Sequence, residues 1–481
     1  MMHLMNKLFM PLGVAVGLLS VTYLLETNRS DLFAASITGF VTDENGDAIQ
    51  DASIKIKSKG KKEKTISTDS DGSYEITKLK KGKHKLKVES VGYETVSEVV
   101  KISKNSEEIE KDITLNFSAY TKTNKTDTMD AAVSAFSEIG TLRKPVQGPI
   151  DGDAISSAYE GELQDLTKEM DTEYGLTLDS DILSAIEDIK NDSSPKLAAQ
   201  VIDKTLQRVF YLAVLEHITD VRDNFDDLDT SELSLSWDEA YASYQAVVGT
   251  ADRENKVLTA DRTNIDTGSN PNLEDQITVA FIRGQNALEK AKPDEDEITV
   301  GIQRQVIRLS LVRAFYIAVL REVEAILDNR GSNTDKALEV QKEGEVYYRI
   351  IEEFVSRDNP TGNETIKSQL TGELSDVGAD TIVSELSKGF IGRVQGELDA
   401  NESALDEGDR GDAMIVAEEA LLYSKVFLED LELRLGTKNL GEIEDALNDL
   451  RDASDKLNKS DADAARETIT TVIDSYENEL L

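Results

Sequence analysis

One helix occurs twice in this chain, and it constrains the fold more than any motif does. Residues 200–221 read QVIDKTLQRVFYLAVLEHITDV and residues 305–326 read QVIRLSLVRAFYIAVLREVEAI, identical at ten of 22 positions at an offset of 105. The shared residues include Arg208/Arg313, Phe210/Phe315, Tyr211/Tyr316 and the apolar positions around them. Apolar residues at 202, 206, 209, 210, 213, 214 and 218 fall at helical spacing on a broad face, so each copy reads as the most buried helix of its own bundle. A repeat of this length points to a modular array.

The pattern extends to either side. Trp237, Ala240, Tyr241 and Tyr244 introduce SWDEAYASYQAVV, and at an offset of 106 EGEVYYRIIEEFV places Val346, Tyr347 and Ile350 in the same roles. ITVAFIRGQNALEKA is matched by IVSELSKGFIGRVQGEL, and AEEALLYSKVFLEDLELRL is a third, divergent core helix with Tyr423 opposite Phe210 and Phe315. The expected organisation is three modules, each an antiparallel bundle of four helices, at 127–230, 231–335 and 336–437, closed by a helical hairpin at 438–481. Stacked end to end, they would form an elongated particle.

Ahead of the helices the pattern changes. ITGFV, ASIKIK, TISTD, SYEIT, HKLKVES and EVVKIS alternate or carry β-branched residues, with DENGD, SKGKKEK, DSDG and KKGK between them. This predicts an antiparallel β-sandwich of roughly seven strands over residues 36–117, joined to the helices by a polar linker at 118–126. The ordered run Gly39-x-Val41-x-Asp43-x-x-Gly46, Ala52-Ser53-Ile54, Thr68-Asp69-x-Asp71-Gly72-Ser73-Tyr74, Leu79 with Gly82, and Gly92-Tyr93 resembles the carboxypeptidase regulatory-like domain, a transthyretin-like fold. Two positions depart from that pattern: Ala48 replaces the usual proline of the first turn, and Lys83-His84 replaces the aromatic after Gly82. The resemblance implies a non-catalytic module of surface proteins. The fold class expected for the whole chain is therefore multidomain and mainly α, with a β-sandwich at its amino-terminal end.

Composition narrows the chemistry. The chain has no cysteine, which excludes disulfides and thiolate metal sites, and its three histidines leave little for acid–base work. Residues 1–35 form a signal peptide or signal anchor, with an uncharged run from Leu8 to Leu25 and a cleavage option near Leu32 to Ser36. An exported, extracellular or surface location follows. The net charge of −40 sits entirely beyond residue 117, where 36 basic and 76 acidic side chains occur. Such a field repels nucleic acid and anionic lipid and gathers cations, leaving membrane contact to the amino-terminal segment alone.

Candidate ligands are sparse. Asp69, Asp71 and Ser73 imitate a calcium loop, but Lys80 stands where a bidentate Glu belongs, so an Asp-Gly turn is the expected reading. Arg321-Glu322-Val323-Glu324-Ala325 is similar to the Arg-Glu-x-x-Glu signature of iron permeases with its second Glu one residue out of place, which makes Glu322 and Glu324 the metal candidates of the helices. Glu216-His217 is matched by Arg321-Glu322 in the second copy, so it reads as a polar flank. Of each aromatic pair, one ring should be core and the other an inter-module contact. GDRGDAM reads as an inter-helix turn with Asp412 as N-cap. Seven Asn-x-Ser/Thr triplets, among them Asn116, Asn191, Asn363 and Asn401, permit glycosylation. No catalytic residue or cofactor is expected beyond calcium or another cation. The functional expectation is a non-enzymatic structural or adhesive surface protein, a stalk, envelope layer or filament subunit that associates with itself or with envelope components. The alternative is an extracytoplasmic accessory protein that collects iron or calcium.

Overall fold

A computed structural model of the chain describes residues 35–43, 46, 48–69, 71–254, 273–288 and 294–481. The amino-terminal hydrophobic segment lies outside the described residues, and none of the described helices is long and apolar enough to cross a membrane. Contacts divide the chain into two compact units, one running up to Ser90 and including Thr95–Leu115, the other made of Asn116–Leu481 with Val91–Glu94.

The first unit is a two-sheet β-sandwich, as the alternation predicts. Its strands are β1 (Ala35–Asp43), β2 (Ser53–Ser58), β3 (Lys64–Ser67), β4 (Ser73–Leu79), β5 (Gly82–Glu89), β6 (Val96–Ile102), β7 (Glu108–Glu110) and β8 (Ile113–Leu115). One sheet has the order β3-β2-β5-β6 and is antiparallel throughout. In the other, β4 pairs antiparallel with β1, whereas β7 and β8 run parallel to β1, a departure from the all-antiparallel expectation. The period of two sends Ile37, Val41, Ile54, Ile56, Ile76, Leu86, Val88 and Leu115 into the core, each no more than 3% exposed. His84 takes a core position where the family pattern has an aromatic. Its Nε2 lies 2.8 Å from the Lys80 carbonyl and must donate, so Nδ1 accepts from the Ser58 hydroxyl at 2.8 Å.

The second unit is helical. Its first five helices are α1 (Asp127–Leu142), α2 (Gly152–Tyr159), α3 (Glu162–Tyr174), α4 (Leu178–Lys190) and α5 (Pro195–Asp223). Then come α6 (Thr230–Glu254), α7 (Leu273–Leu288), α8 (Asp294–Asn329), α9 (Thr334–Ser356), α10 (Pro360–Thr371) and α11 (Ala379–Glu407). The last are α12 (Arg410–Ser424), α13 (Leu428–Leu435), α14 (Thr437–Asp455) and α15 (Lys459–Glu477). Pro195 and Pro360 sit in the first turns of α5 and α10, where a missing N–H costs nothing. The Gly161 backbone, at φ 99°, splits the segment 155–170 into α2 and α3.

Local chemistry also decides two boundaries differently from the sequence reading. Asp409, not Asp412, caps α12, its Oδ1 accepting from the Asp412 amide at 3.0 Å, so Arg410-Gly411-Asp412 lies inside the first helical turn. The third core helix is broken into α12 and α13 by a turn at 425–427, next to Ser424, whose hydroxyl bonds back to the Ala420 carbonyl at 2.8 Å.

The two copies of the repeated helix are α5 and α8, and both are buried along nearly their whole length. Each lies between the helix before it and the helix after it: α4-α5-α6, α7-α8-α9 and, for the divergent copy, α11-α12-α14. The flanking helices thus lie on both sides of positions 230, 335 and 437. Among the described residues, 127–230 hold five helices, 231–335 three and 336–437 five, where four each are expected; Gly161 separates α2 from α3 and the turn at 425–427 separates α12 from α13. One hydrophobic core runs from Tyr120 to Tyr476 without interruption.

Candidate functional site

The positions that recur between the copies are helix–helix contacts. Phe210 meets Phe136 of α1 at 5.5 Å, while its neighbour Tyr211 meets Phe315 of α8 edge-on at 5.5 Å. One turn of the repeat later, Phe315 continues to Tyr347 of α9 and Tyr316 to Phe390 of α11, at 6.0 and 5.9 Å. Adjacent residues on a helix point about 100° apart, and the structure uses that angle to bind two different neighbours. Arg313 pairs with Glu429 of α13.

Two buried polar networks sit on these interfaces. In the first, the Asp203 carboxylate of α5 accepts from Lys204 Nζ at 2.8 Å and Arg143 Nη2 at 2.9 Å, and Gln207 is within 3.3 Å. Lys204 lies over the Tyr347 ring, 4.8 Å from its centroid, and 3.6 Å from Glu343 of α9. Burial opposes its charge, but the Tyr347 oxygen, Asp203 and Glu343 outweigh burial and hold the ammonium above the ordinary lysine range. Burial and the nearby Glu322 push Glu343 up.

In the second, Tyr423 of α12 accepts from Arg393 Nη2 at 3.1 Å and from Arg308 Nη2 at 3.3 Å. Arg308 also reaches Glu419 at 3.4 Å, and Arg393 reaches Glu397 at 3.5 Å. Burial, and then the facing Glu419, push the Glu397 carboxyl up to about 8, so Glu397 keeps its proton at neutral pH.

The residues singled out as ligands are dispersed. Asp71 is exposed and its Oδ1 accepts from the Ser73 amide at 2.9 Å, a bond that, with the Ser73 hydroxyl, holds its carboxyl below the usual range. Asp69 bonds through its backbone, donating to the Ser73 carbonyl and accepting from Gly72, both at 2.9 Å, in the tight turn expected there. Glu322 is buried and bound to Arg321 at 2.6 Å. Glu324, half-buried, is two positions on and points some 200° away around α8. No group of three or more His, Asp or Glu among the described residues is arranged to hold a metal ion.

His217 is pushed down to about 4 by burial, and its Nδ1 lies 3.7 Å from Glu239. His217 is half-buried, whereas its counterparts Glu322 and Asp430 are buried, Asp430 accepting from Arg434 Nε at 2.7 Å and the Tyr476 hydroxyl at 2.6 Å. Beside His217, burial and the carboxylates of Glu169, Glu173 and Asp220 push Glu216 up to about 7. Of the glycosylation triplets, Asn116 and Asn191 are exposed. Asn401 is buried, donating to the Ala413 carbonyl and Ser454 hydroxyl and accepting from Arg466, and Asn363 is buried against the Tyr348 hydroxyl.

One functional contact has no signal in the polar composition of its segment. The stretch read as a linker is docked: Asp238 of α6, wholly buried, accepts from Tyr120 Oη at 2.7 Å, Thr123 N at 2.9 Å, Thr123 Oγ1 at 3.0 Å, Asn124 N at 2.7 Å and Asn124 Nδ2 at 3.1 Å. Tyr120 stacks on Tyr241 at 4.0 Å and meets Phe281 edge-on at 5.8 Å. The Trp237 indole donates to the Phe281 carbonyl at 2.9 Å and packs on bare Gly284. An aromatic inside an otherwise polar linker was the available clue.

Residues 36–116, the two-sheet sandwich, match the family model of the carboxypeptidase regulatory-like domain. The sandwich is a carboxypeptidase regulatory-like domain. The match spans only this part of the chain. No curated protein matches the chain.

Proposed function

We propose that this chain is an exported, non-enzymatic cell-surface protein with a structural or adhesive role, a subunit of a stalk, envelope layer or filament. The observation that carries the reading is the use made of the repeated side chains. Arg313, Phe210, Tyr211, Phe315 and Tyr316 hold one helix to the next, and the buried polar networks around Asp203 and Tyr423 lie on the same interfaces. A regulatory-like β-sandwich, a hydrophobic leader in sequence and a carboxylate-rich helical unit agree with a part built for the cell exterior. Electron microscopy of the native envelope, with antibody labelling, is the test. Ordered, labelled arrays or fibres are expected, and a dispersed soluble monomer in the native setting overturns the assembly role.

A second reading, an extracytoplasmic accessory protein for iron or calcium, draws support from the excess of carboxylates beyond residue 117, which gathers cations. Metal titration at moderate ionic strength separates the two. Saturable binding favours the accessory role, and purely salt-screened association removes it.

A further inference from the structure

The β-sandwich has equal numbers of lysines and acids, 15 of each over residues 36–117, yet the strand register sorts them. On the outward face of the β3-β2-β5-β6 sheet, Lys55 stands directly opposite Lys87, Lys57 opposite Lys85, and Lys83 opposite Lys101. Cross-strand neighbours on one face lie about 5 Å apart, and like charges in that relation destabilise a sheet. Glu89 offsets part of this, binding Lys55 at 2.5 Å and also Lys87. Lys57, Lys83, Lys85 and Lys101 are exposed and make no ion pair among the described residues. Two of the three lysine pairs, Lys57/Lys85 and Lys83/Lys101, break a local rule with no compensation inside the domain, the pattern expected where an external partner supplies the missing charge.

The helical unit carries the opposite defect. Residues 127–193 contain 16 acidic and four basic side chains. Along α3, Leu163, Leu166 and Met170 are buried, which leaves Glu162, Asp165, Glu169 and Glu173 as one exposed ridge at spacings of three and four residues. Carboxylates on such a ridge repeat roughly every 5 to 6 Å, close to the spacing of lysines across neighbouring strands, about 5 Å.

We propose that the lysine face of the regulatory-like domain docks on the acidic α3 ridge of a second copy of this chain. This rests on the structural reading above and supplies its contact. The two surfaces differ, so the contact is head-to-tail, and successive copies add as a ring where the rotation closes and as an open chain where it does not. A second copy is favoured over an anionic lipid surface because the chain itself carries a carboxylate ridge whose spacing matches the lysine rows, while its net charge of −40 opposes approach to either partner.

The experiment is sedimentation velocity on the purified full chain in a non-ionic detergent, which masks the apolar Leu8–Leu25 run and leaves charge contacts intact. Wild type is expected to form concentration-dependent oligomers in roughly 50 mM salt that disperse in roughly 500 mM, where screening is severalfold shorter in range. K83E/K85E/K87E and E162K/D165K/E169K should each weaken association by about tenfold or more. Mixed together, the two variants present two complementary contacts, the doubly reversed one and the original one, and should co-assemble into alternating oligomers. Circular dichroism confirms folding, and K83Q/K85Q/K87Q replaces the charge reversal if that variant fails to fold. Wild-type assembly that survives both charge reversals overturns this contact and leaves the structural reading standing, whereas a wild type that is monomeric in solution and in the native envelope overturns both. Reversed variants that lose assembly but do not co-assemble on mixing overturn the pairing of these two surfaces. Binding to phosphatidylglycerol vesicles that K83E/K85E/K87E abolishes, without self-association, assigns the face to lipid and also overturns the proposal.

Discussion

Replacing Asp238 by alanine should free the segment that leads into the helical unit. Five donors converge on that carboxylate, from Tyr120, Thr123 and Asn124. Hydrogen bonds to a charged acceptor contribute about 1.5–3 kcal/mol each, and a buried donor left without a partner costs about 1–3 kcal/mol. The five do not add. Thr123 is exposed and Asn124 half-exposed, so water replaces the carboxylate there, and Tyr120 Oη keeps Gln285 Nε2 at 3.2 Å. Removing a buried charge also recovers some desolvation. The net loss is therefore about 2–4 kcal/mol, and Asp238→Asn, which keeps one acceptor, should lose about half of it. Tyr120→Phe, which retains the stack on Tyr241, should lose about 1 kcal/mol. Two measurements check this: denaturant unfolding followed by tyrosine and tryptophan fluorescence, and trypsin cleavage after Lys122 and Lys125. Cleavage there should accelerate by roughly tenfold or more, as local opening becomes cheaper by over 1.4 kcal/mol. An Asp238→Ala protein with stability within about 0.5 kcal/mol of wild type and unchanged cleavage would refute the docking argument.

Two further outcomes follow from the helical core. A methyl group at Gly284 would lie 2.1 Å from the Trp237 ring, which is fixed by its bond to the Phe281 carbonyl, so Gly284→Ala should destabilise by about 1–3 kcal/mol despite its better helix propensity. A neutral or stabilising result in thermal melts would show that the indole can move. Glu397 titrates near 8 in the fold against 4.5 for the free group, so the folded state binds its proton more tightly. That contribution is complete below about pH 4.5 and is lost as pH rises through about 8, with Glu419, Arg308, Arg393 and Tyr423 facing the group. Glu397→Gln should flatten the fall in melting temperature across this window, and an identical slope in both proteins counts against a proton held on Glu397.

Much of this architecture is visible in one dimension because periodicity is a local property. The switch from a period of two to one of 3.6 near residue 117 separates the sandwich from the helices. The repeated 22-residue segment marked α5 and α8 as core helices, since only packing recurs at Phe210/Phe315 and Tyr211/Tyr316. Helix ends were less legible. Asp409 and Asp412 are equally good caps by composition, and only the backbone at Asp409 decides between them. Asn401 looks like a glycosylation acceptor until the fold surrounds it with Ala413, Ser454 and Arg466.

The sequence by itself determined the two-part plan, the acidic balance of the helical part and the repeat, all of which depend on residues near one another in the chain. Tertiary structure alone decided what the charges do. Asp238 is a polar residue on a helix until a segment 114 to 118 residues away closes on it. The lysines of the sandwich cancel in any count, and strand register, which brings residues 18 to 32 apart into direct opposition, gathers six of them onto one face. Pairing across strands and helices is non-local, and composition averages over it.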